Sequence, residues 1–375
     1  MSAKNMRHTF WVLLLSMGLV AAGCLSPGDD DDVTAGDDDD STANDDDSTA
    51  NDDDSTTSDD DDSGTGDDDD SGAGDDDDSA TGDDDDSATG DDDDDSTPAF
   101  SPPIYVVAGS TLYRMDDMSG TNQMEYDGSA GTPFSLGISA VAVDGLGRIY
   151  VVDMNNNMVY RFDDMTGANQ VEYGGPAAVP FSNPHGVAVD SQSRIYVTDF
   201  GRDLVYRFDD MTGTNLVTYD GALGTGFSNP LRVAVDASDR IYVTDFGREL
   251  VYRFDDMTGA NQVEYDGSQG TAFDNPRSVA FDPSGRIYVA DLSAGLVYRF
   301  DDMVGTNQVE YDGTSGTPFF SPNGVAVDLG GAVSVSDGGN NVVYRFDDMA
   351  GANQVEYDGS GGLPFEGTSG VLVLN

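Results

Sequence analysis

The sequence predicts an all-β fold, a six-bladed β-propeller with four-stranded blades, and three observations carry that prediction. "VAVD" begins at Val141, Val187 and Val233, "VAFD" at Val279 and "VAVD" again at Val325, each 46 residues after the last. Every period holds four short runs rich in Val, Ile, Tyr and Phe, separated by Gly, Asp, Asn and Ser clusters, and such runs read as strands joined by tight turns. A period of about 40 to 50 residues with four strands is the sequence form of a propeller blade.

Between Gly186 and Gly221 the four strands of one period are "GVAVD", "RIYVTD", "LVYRFDD" and "LVTYDG", designated A to D. The B, C and D runs each occur six times from Ile104 onward, and so does A if Val371 to Asn375 is counted. The first B run, "IYVV" at Ile104, has no A run before it. The C-terminal strand is therefore expected to supply the missing A strand of blade 1, which closes the ring and removes its open edge.

The stretch "NPHGVAVDSQSRIYVTDFGRDLVYRFDDMTG", Asn183 to Gly213, resembles the NHL repeat, whose pattern runs Pro-x-Gly-Val-Ala-Val-Asp, then Gly-x-Ile-Tyr-Val-x-Asp, a valine-rich strand and Phe-Asp. The resemblance spans about Ile104 to Asn375 and departs in blade 6, where "GGAVSVSD" replaces the Arg-Ile-Tyr run. It implies a six-bladed propeller. Related propellers include ligand-binding modules, protein-interaction domains, lyases and lactonases, so the resemblance says more about fold than about chemistry.

The ends of the chain are different in kind. Lys4 and Arg7 precede an apolar run, Phe10 to Ala22, too short to span a bilayer and ending in small residues, which reads as an export signal over residues 1–23. Its end, "AAGC" at Ala21 to Cys24, resembles the lipobox of bacterial lipoproteins. That resemblance implies an acylated Cys24 as lipid anchor and a place in the cell envelope, at the outer membrane or cell surface. Cys24 is the chain's one cysteine, which excludes an internal disulfide and a Cys-based metal site.

Residues 24–100 read as a disordered linker before the propeller at 101–375. Asp29 to Asp95 holds 35 aspartates, no Lys, Arg or aromatic residue, and Val33 as its one large aliphatic residue. Such a segment cannot bury enough apolar surface to offset the entropy of ordering. It is expected to act as a repulsive spacer that takes up divalent cations weakly. The propeller itself carries 37 acids against 14 arginines, so nucleic acid and anionic lipid surfaces are poor partners. Nothing in the pattern calls for more than a monomer.

"VYRFDDMTG" at Val159 recurs at Val205 and Val251 and, slightly changed, in the other blades. Asp and Gly suit the hairpin corner between strands C and D, and "DDMTGAN" lacks the alternate-position carboxylates and distal Glu of a calcium loop. An element present once per blade is a folding element, whereas a site on a closed ring should break the symmetry. The same logic makes Asp144, Asp190, Asp236, Asp282 and Asp328 caps of the A to B turns. All 17 tyrosines and ten of the 14 arginines are periodic as well.

Arg202, Arg232, Arg248 and Arg277 break the pattern. Arg202 and Arg248 lie in B to C loops, Arg232 and Arg277 just before A strands, and these loops emerge on one face of a propeller. Phe200 and Phe246 share the same B to C loops, and His185, the one histidine after the signal, precedes the A strand of blade 3. Asn155, Asn156, Asn157, Asn323, Asn340 and Asn341 form an amide-rich arc opposite. These residues are the candidate binding site for an anionic small molecule, a glycan or a protein. The other reading is that Arg202 and Arg248 hold their loops through Asp199, Asp203, Asp245 and Glu249. Two alternatives remain: a lactonase- or lyase-like enzyme, which the lack of an acid/base constellation or metal-ligand set argues against, and a structural acidic surface lipoprotein that binds Ca²⁺ non-specifically. No cofactor is expected.

Overall fold

The computed structural model describes residues 102–374; the signal segment 1–23, Cys24 and the acidic linker at 24–100 lie outside them. The described residues form six antiparallel sheets of four strands. Blade 1 contains β1 (Ile104–Ala108), β2 (Thr111–Met115) and β3 (Met124–Tyr126). Blade 2 contains β4 (Ile138–Val143), β5 (Ile149–Asp153), β6 (Met158–Phe162) and β7 (Val171–Tyr173), and blade 3 contains β8 (Pro184–Val189), β9 (Ile195–Asp199), β10 (Leu204–Phe208) and β11 (Val217–Tyr219). Blade 4 contains β12 (Pro230–Val235), β13 (Ile241–Asp245), β14 (Leu250–Phe254) and β15 (Val263–Tyr265), and blade 5 contains β16 (Pro276–Phe281), β17 (Ile287–Asp291), β18 (Leu296–Phe300) and β19 (Val309–Tyr311). Blade 6 contains β20 (Pro322–Val327), β21 (Val333–Asp337), β22 (Val342–Phe346) and β23 (Val355–Tyr357), and β24 (Thr368–Val373) returns to blade 1.

The first sheet runs β24-β1-β2-β3, so the C-terminal strand does supply the A strand of blade 1. Val106 pairs with Val371 and Ile104 with Val373. The fold is the all-β six-bladed propeller that the 46-residue step predicts.

Adjacent blades pack face to face. Each Phe ahead of an A strand meets the Tyr of a D strand and the Tyr–Phe pair of a C strand, save that blade 1 has Met115 in place of that second Phe. Phe273, for example, lies 5.8 Å from Tyr265 and 5.0 Å from Tyr298, both rings near perpendicular to it. Edge-to-face pairs of this kind contribute about 0.5–1.5 kcal/mol beyond area burial. The B and C strands supply the rest of the core, with Tyr150, Tyr196, Tyr252, Tyr298 and their columns almost fully buried.

The recurrent "DDMTG" is a turn. Asp164 accepts the backbone N–H of Thr166 at 2.8 Å, Asn169 Nδ2 donates to Asp163 at 2.7 Å, and Asp163 N donates to Ala168 O at 2.8 Å. Gly167 has φ 76°, and a Cβ there would meet the Tyr126 hydroxyl of the preceding blade. The glycine therefore serves both the turn and the interface, because a side chain would have no room beneath that tyrosine.

The same tyrosines latch the blades together. Tyr126, Tyr219, Tyr265, Tyr311 and Tyr357 donate to Gln170, Gln262, Gln308, Gln354 and Gln123 of the next blade. At the sixth junction the position facing Tyr173 is Leu216. Since leucine fits there, Gln308→Leu should fold normally and lose the bond from Tyr265 together with those that Gln308 Nε2 donates to Gly267 O at 2.9 Å and Glu310 at 3.3 Å, about 1–2 kcal/mol in all. A fall in melting temperature of roughly 2–4 °C for each kcal/mol is the expected result of thermal unfolding.

Candidate functional site

Buried carboxylates shape the loops of the face where the sequence places the candidate residues. Asp199, at the end of β9, accepts Ser182 N at 2.9 Å, and Asp245 accepts Ser228 N at 2.7 Å. Asp291 accepts the N–H groups of Asp274, Asn275 and Ala294. All three are fully buried and tie a D to A loop to a B to C loop. Burial pushes the carboxyls of Asp199 and Asp245 up to about 6, against the pull of those N–H groups. Blade 1 has Ala108 in this position, and its B to C connection shrinks to Gly109 and Ser110.

Two residues before each central A-strand valine stand Ser139, His185, Leu231, Arg277, Asn323 and Ser369, one per blade around the axis. Their carbonyls need donors where the innermost strands have no further neighbour. Thr198 donates to Leu231 O at 2.6 Å and Thr244 to Arg277 O at 3.1 Å. Arg232 supplies most of the rest. Its guanidinium crosses the axis and donates to His185 O at 2.6 Å, Ser369 O at 2.7 Å and Ser139 O, joining blade 4 to blades 3, 1 and 2. Burial, and then repulsion from Arg277, lowers its pKa to about 9.

Beyond that guanidinium, toward the A to B turns, the six innermost strands enclose a channel of 290 Å³. Its side chains are Val, Ala, Leu372 and Phe281, with Ser278 and Arg232 itself at one end.

The four off-pattern arginines divide into two groups. Arg232 and Arg277 meet at the axial mouth with His185. Arg202 and Arg248 turn to their own blades: Arg202 Nε donates to Pro180 O at 2.7 Å, and Arg248 donates to Gly226 O at 3.1 Å and Thr225 O at 3.0 Å. These two tie down loops, through carbonyls more than carboxylates, since the Arg202–Asp199 approach is 3.9 Å. Asp203 instead accepts Asn229 N of the next blade at 2.6 Å. The amide-rich arc is used in the same way. Asn156 and Asn340 each reach an adjacent Asp and a C-strand Tyr, and Asn323 donates to Thr368 O at 3.1 Å.

At the mouth Arg277 is the cation left over, although it is not alone in the propeller: Arg299 in β18 also lacks a partner among the described residues, and Arg161, Arg207 and Arg253 share its unpartnered Nε. Arg277 itself is half-buried, and its Nε is buried with no hydrogen-bond partner among the described residues. Burial lowers its pKa, and the attraction that resists this comes from Asp291, already committed to three backbone N–H groups. His185 lies beside it, its pKa lowered to about 3 by burial, then by Arg232 and Arg277, so it is neutral across the physiological range. Its ring rests 5.1 Å from Phe200.

Phe200 and Phe246 belong to a column that sequence reasoning left incomplete. Met154, Phe200, Phe246 and Leu292 each follow the B-strand aspartate and each donate a backbone N–H to the carbonyl of Gly137, Asn183, Asn229 or Asn275. Four large apolar side chains thus occupy equivalent places around the mouth on blades 2 to 5. Phe246 is 41% exposed and the other three are half-buried. Blades 6 and 1 have Gly338 and Gly109 there.

Residues 181–205 match the family description of the NHL repeat. No curated protein matches the sequence. Among solved structures, the propeller is similar to a chain of a nidogen/laminin complex, at 16% identity and TM-score 0.58 over 72% of this chain and 97% of that one. It is also similar to a protein of unknown function from Bacteroides caccae, at 14% identity and TM-score 0.54 over 73% and 100%. A gluconolactonase from Xanthomonas campestris gives 18% identity and TM-score 0.50 over 72% and 87%. At such identities the likeness shows the fold alone.

Arg232→Met nearly keeps the side-chain volume but takes a donor from the carbonyls of Ser139 and Ser369 and leaves His185 O with Ser139 Oγ alone. The cost should be about 1–3 kcal/mol, read as a lower melting temperature in thermal unfolding, and an unchanged value would show that the axial bonds contribute nothing.

Proposed function

We propose that this protein is a binding module held at the cell envelope by acylated Cys24 and its acidic linker, and that the axial mouth of the propeller takes up a small anion on Arg277. The observation that carries the reading is the place of the Arg277 guanidinium: of the arginines whose buried Nε lacks a partner, it is the one set at the axial mouth, beside Arg232 and His185, and Asp291, the carboxylate near it, is committed to backbone N–H groups. Removing a cation from water is costly unless it is paired, and a ligand carboxylate would supply the missing partner through charge-assisted, bidentate bonds. Arg232 adds positive potential below it, and neutral His185 adds no competing charge. On a body of 37 acids and 14 arginines, this mouth is a local reversal of sign that would focus anions.

The binding half is tested by thermal shift of the purified full chain with acetate and inorganic phosphate. A ligand that binds only the folded state raises the melting temperature, by about 2.7 kcal/mol of stabilisation at a hundredfold excess over Kd. The shift should vanish in Arg277→Gln, whose own melting temperature should equal or exceed that of the wild type because a buried, unpaired charge has gone. An equal shift in the variant, or no shift with any anion, overturns the reading. For the anchor, Cys24→Ser should move the chain from the membrane fraction to the soluble fraction, and retention at the membrane would refute it.

A further inference from the structure

Resting on the anion reading, we infer that the mouth prefers an amphiphilic organic anion, a carboxylate bearing an aromatic or chain-like apolar body, to the bare inorganic or short anion that Arg277 also takes up. The floor and the wall of the mouth have different chemistry. At the floor, Arg277 offers an unpartnered, buried donor. Around it, Met154, Phe200, Phe246 and Leu292 stand in one loop position on four successive blades, each fixed by the same backbone bond to a D to A loop.

The contact between collar and floor is direct, since Phe200 packs on the His185 ring at 5.1 Å. Blades 6 and 1 have Gly338 and Gly109 in the collar position, and a Cβ at Gly338 would meet Asn323 and the carbonyl of Thr368, so the collar stops where local packing leaves no room for it. Phe246 keeps 41% of its surface in water, and covering such surface is favourable in proportion to the apolar area removed from solvent. The gap over blades 6 and 1 leaves the collar open on one side. Beside that gap Phe320 lies 68% exposed, so an apolar body longer than the mouth is wide would still find apolar surface there. Pockets that bind organic ligands share this plan of apolar walls with a few convergent polar groups.

The test compares acetate, hexanoate and 4-phenylbutyrate on the full chain by calorimetry, in wild type, Phe246→Ala and Leu292→Ala. The inference expects phenylbutyrate and hexanoate to bind at least about tenfold more tightly than acetate, the increment that burial of a few methylenes or a ring supplies. In each variant that ratio should fall toward one. If Leu292→Ala lowers the melting temperature, the exposed Phe246→Ala carries the comparison alone. Equal affinity for all three anions overturns the inference while leaving the anion reading intact. A chain preference that both variants retain also overturns it, because the body would then lie elsewhere. Failure of all three to bind removes the anion reading itself.

Discussion

Every blade is held by what its outer tyrosine does to the next blade. The ring covers the turn glycine, stacks edge-on against the phenylalanine that leads into the A strand, and in five junctions its hydroxyl ends on a glutamine. In an open stack of repeats the terminal units have one neighbour and fray. In a closed ring each unit has two, so no blade can loosen without opening interfaces on both sides. The six inter-blade clusters of buried residues are the physical form of that mutual dependence.

This constraint explains where the acids of the propeller go. Aspartates in the A to B turns hold backbone N–H groups and an arginine, as Asp144 does with Leu146 N and Arg148. Aspartates at the ends of B strands hold the upper loops, and those in the C to D turns hold their own turn. A negative balance built in this way is a by-product of folding, and the charges that bear on binding are the few cations outside the columns.

The blade count, the ring closure and the turn role of "DDMTG" were legible because each is a statement about period, and period survives in one dimension. The division of the arginines was not, because a column records which residue is present and not which way it turns. Arg202 and Arg248 share loops with Phe200 and Phe246 yet reach sideways to the carbonyls of Pro180, Thr225 and Gly226. Arg232 sits beside a bulge in the β12–β13 pairing and spans the axis to three other blades. Met154 and Leu292 passed unnoticed for another reason: each is an ordinary aliphatic residue where it stands, and only the column directly after the B-strand aspartate shows them beside two phenylalanines. Reading that column down the repeats would have found the collar.

Near-identical blades create a problem of identity during folding, and β24 bears the mark of its solution. Its true partner β1 lies more than two hundred residues away in the chain, and long-range pairing of this kind forms late against the entropy of loop closure. Until then β1 is exposed to five other A strands of nearly the same sequence. All five have alanine after the central valine, at Ala142, Ala188, Ala234, Ala280 and Ala326, whereas β24 has Leu372, which packs against the cluster between blades 1 and 2. The larger side chain acts as a key cut for one lock. A ring closed early with any other A strand would leave that space empty, so the closing strand encodes the number of blades in the size of a single residue.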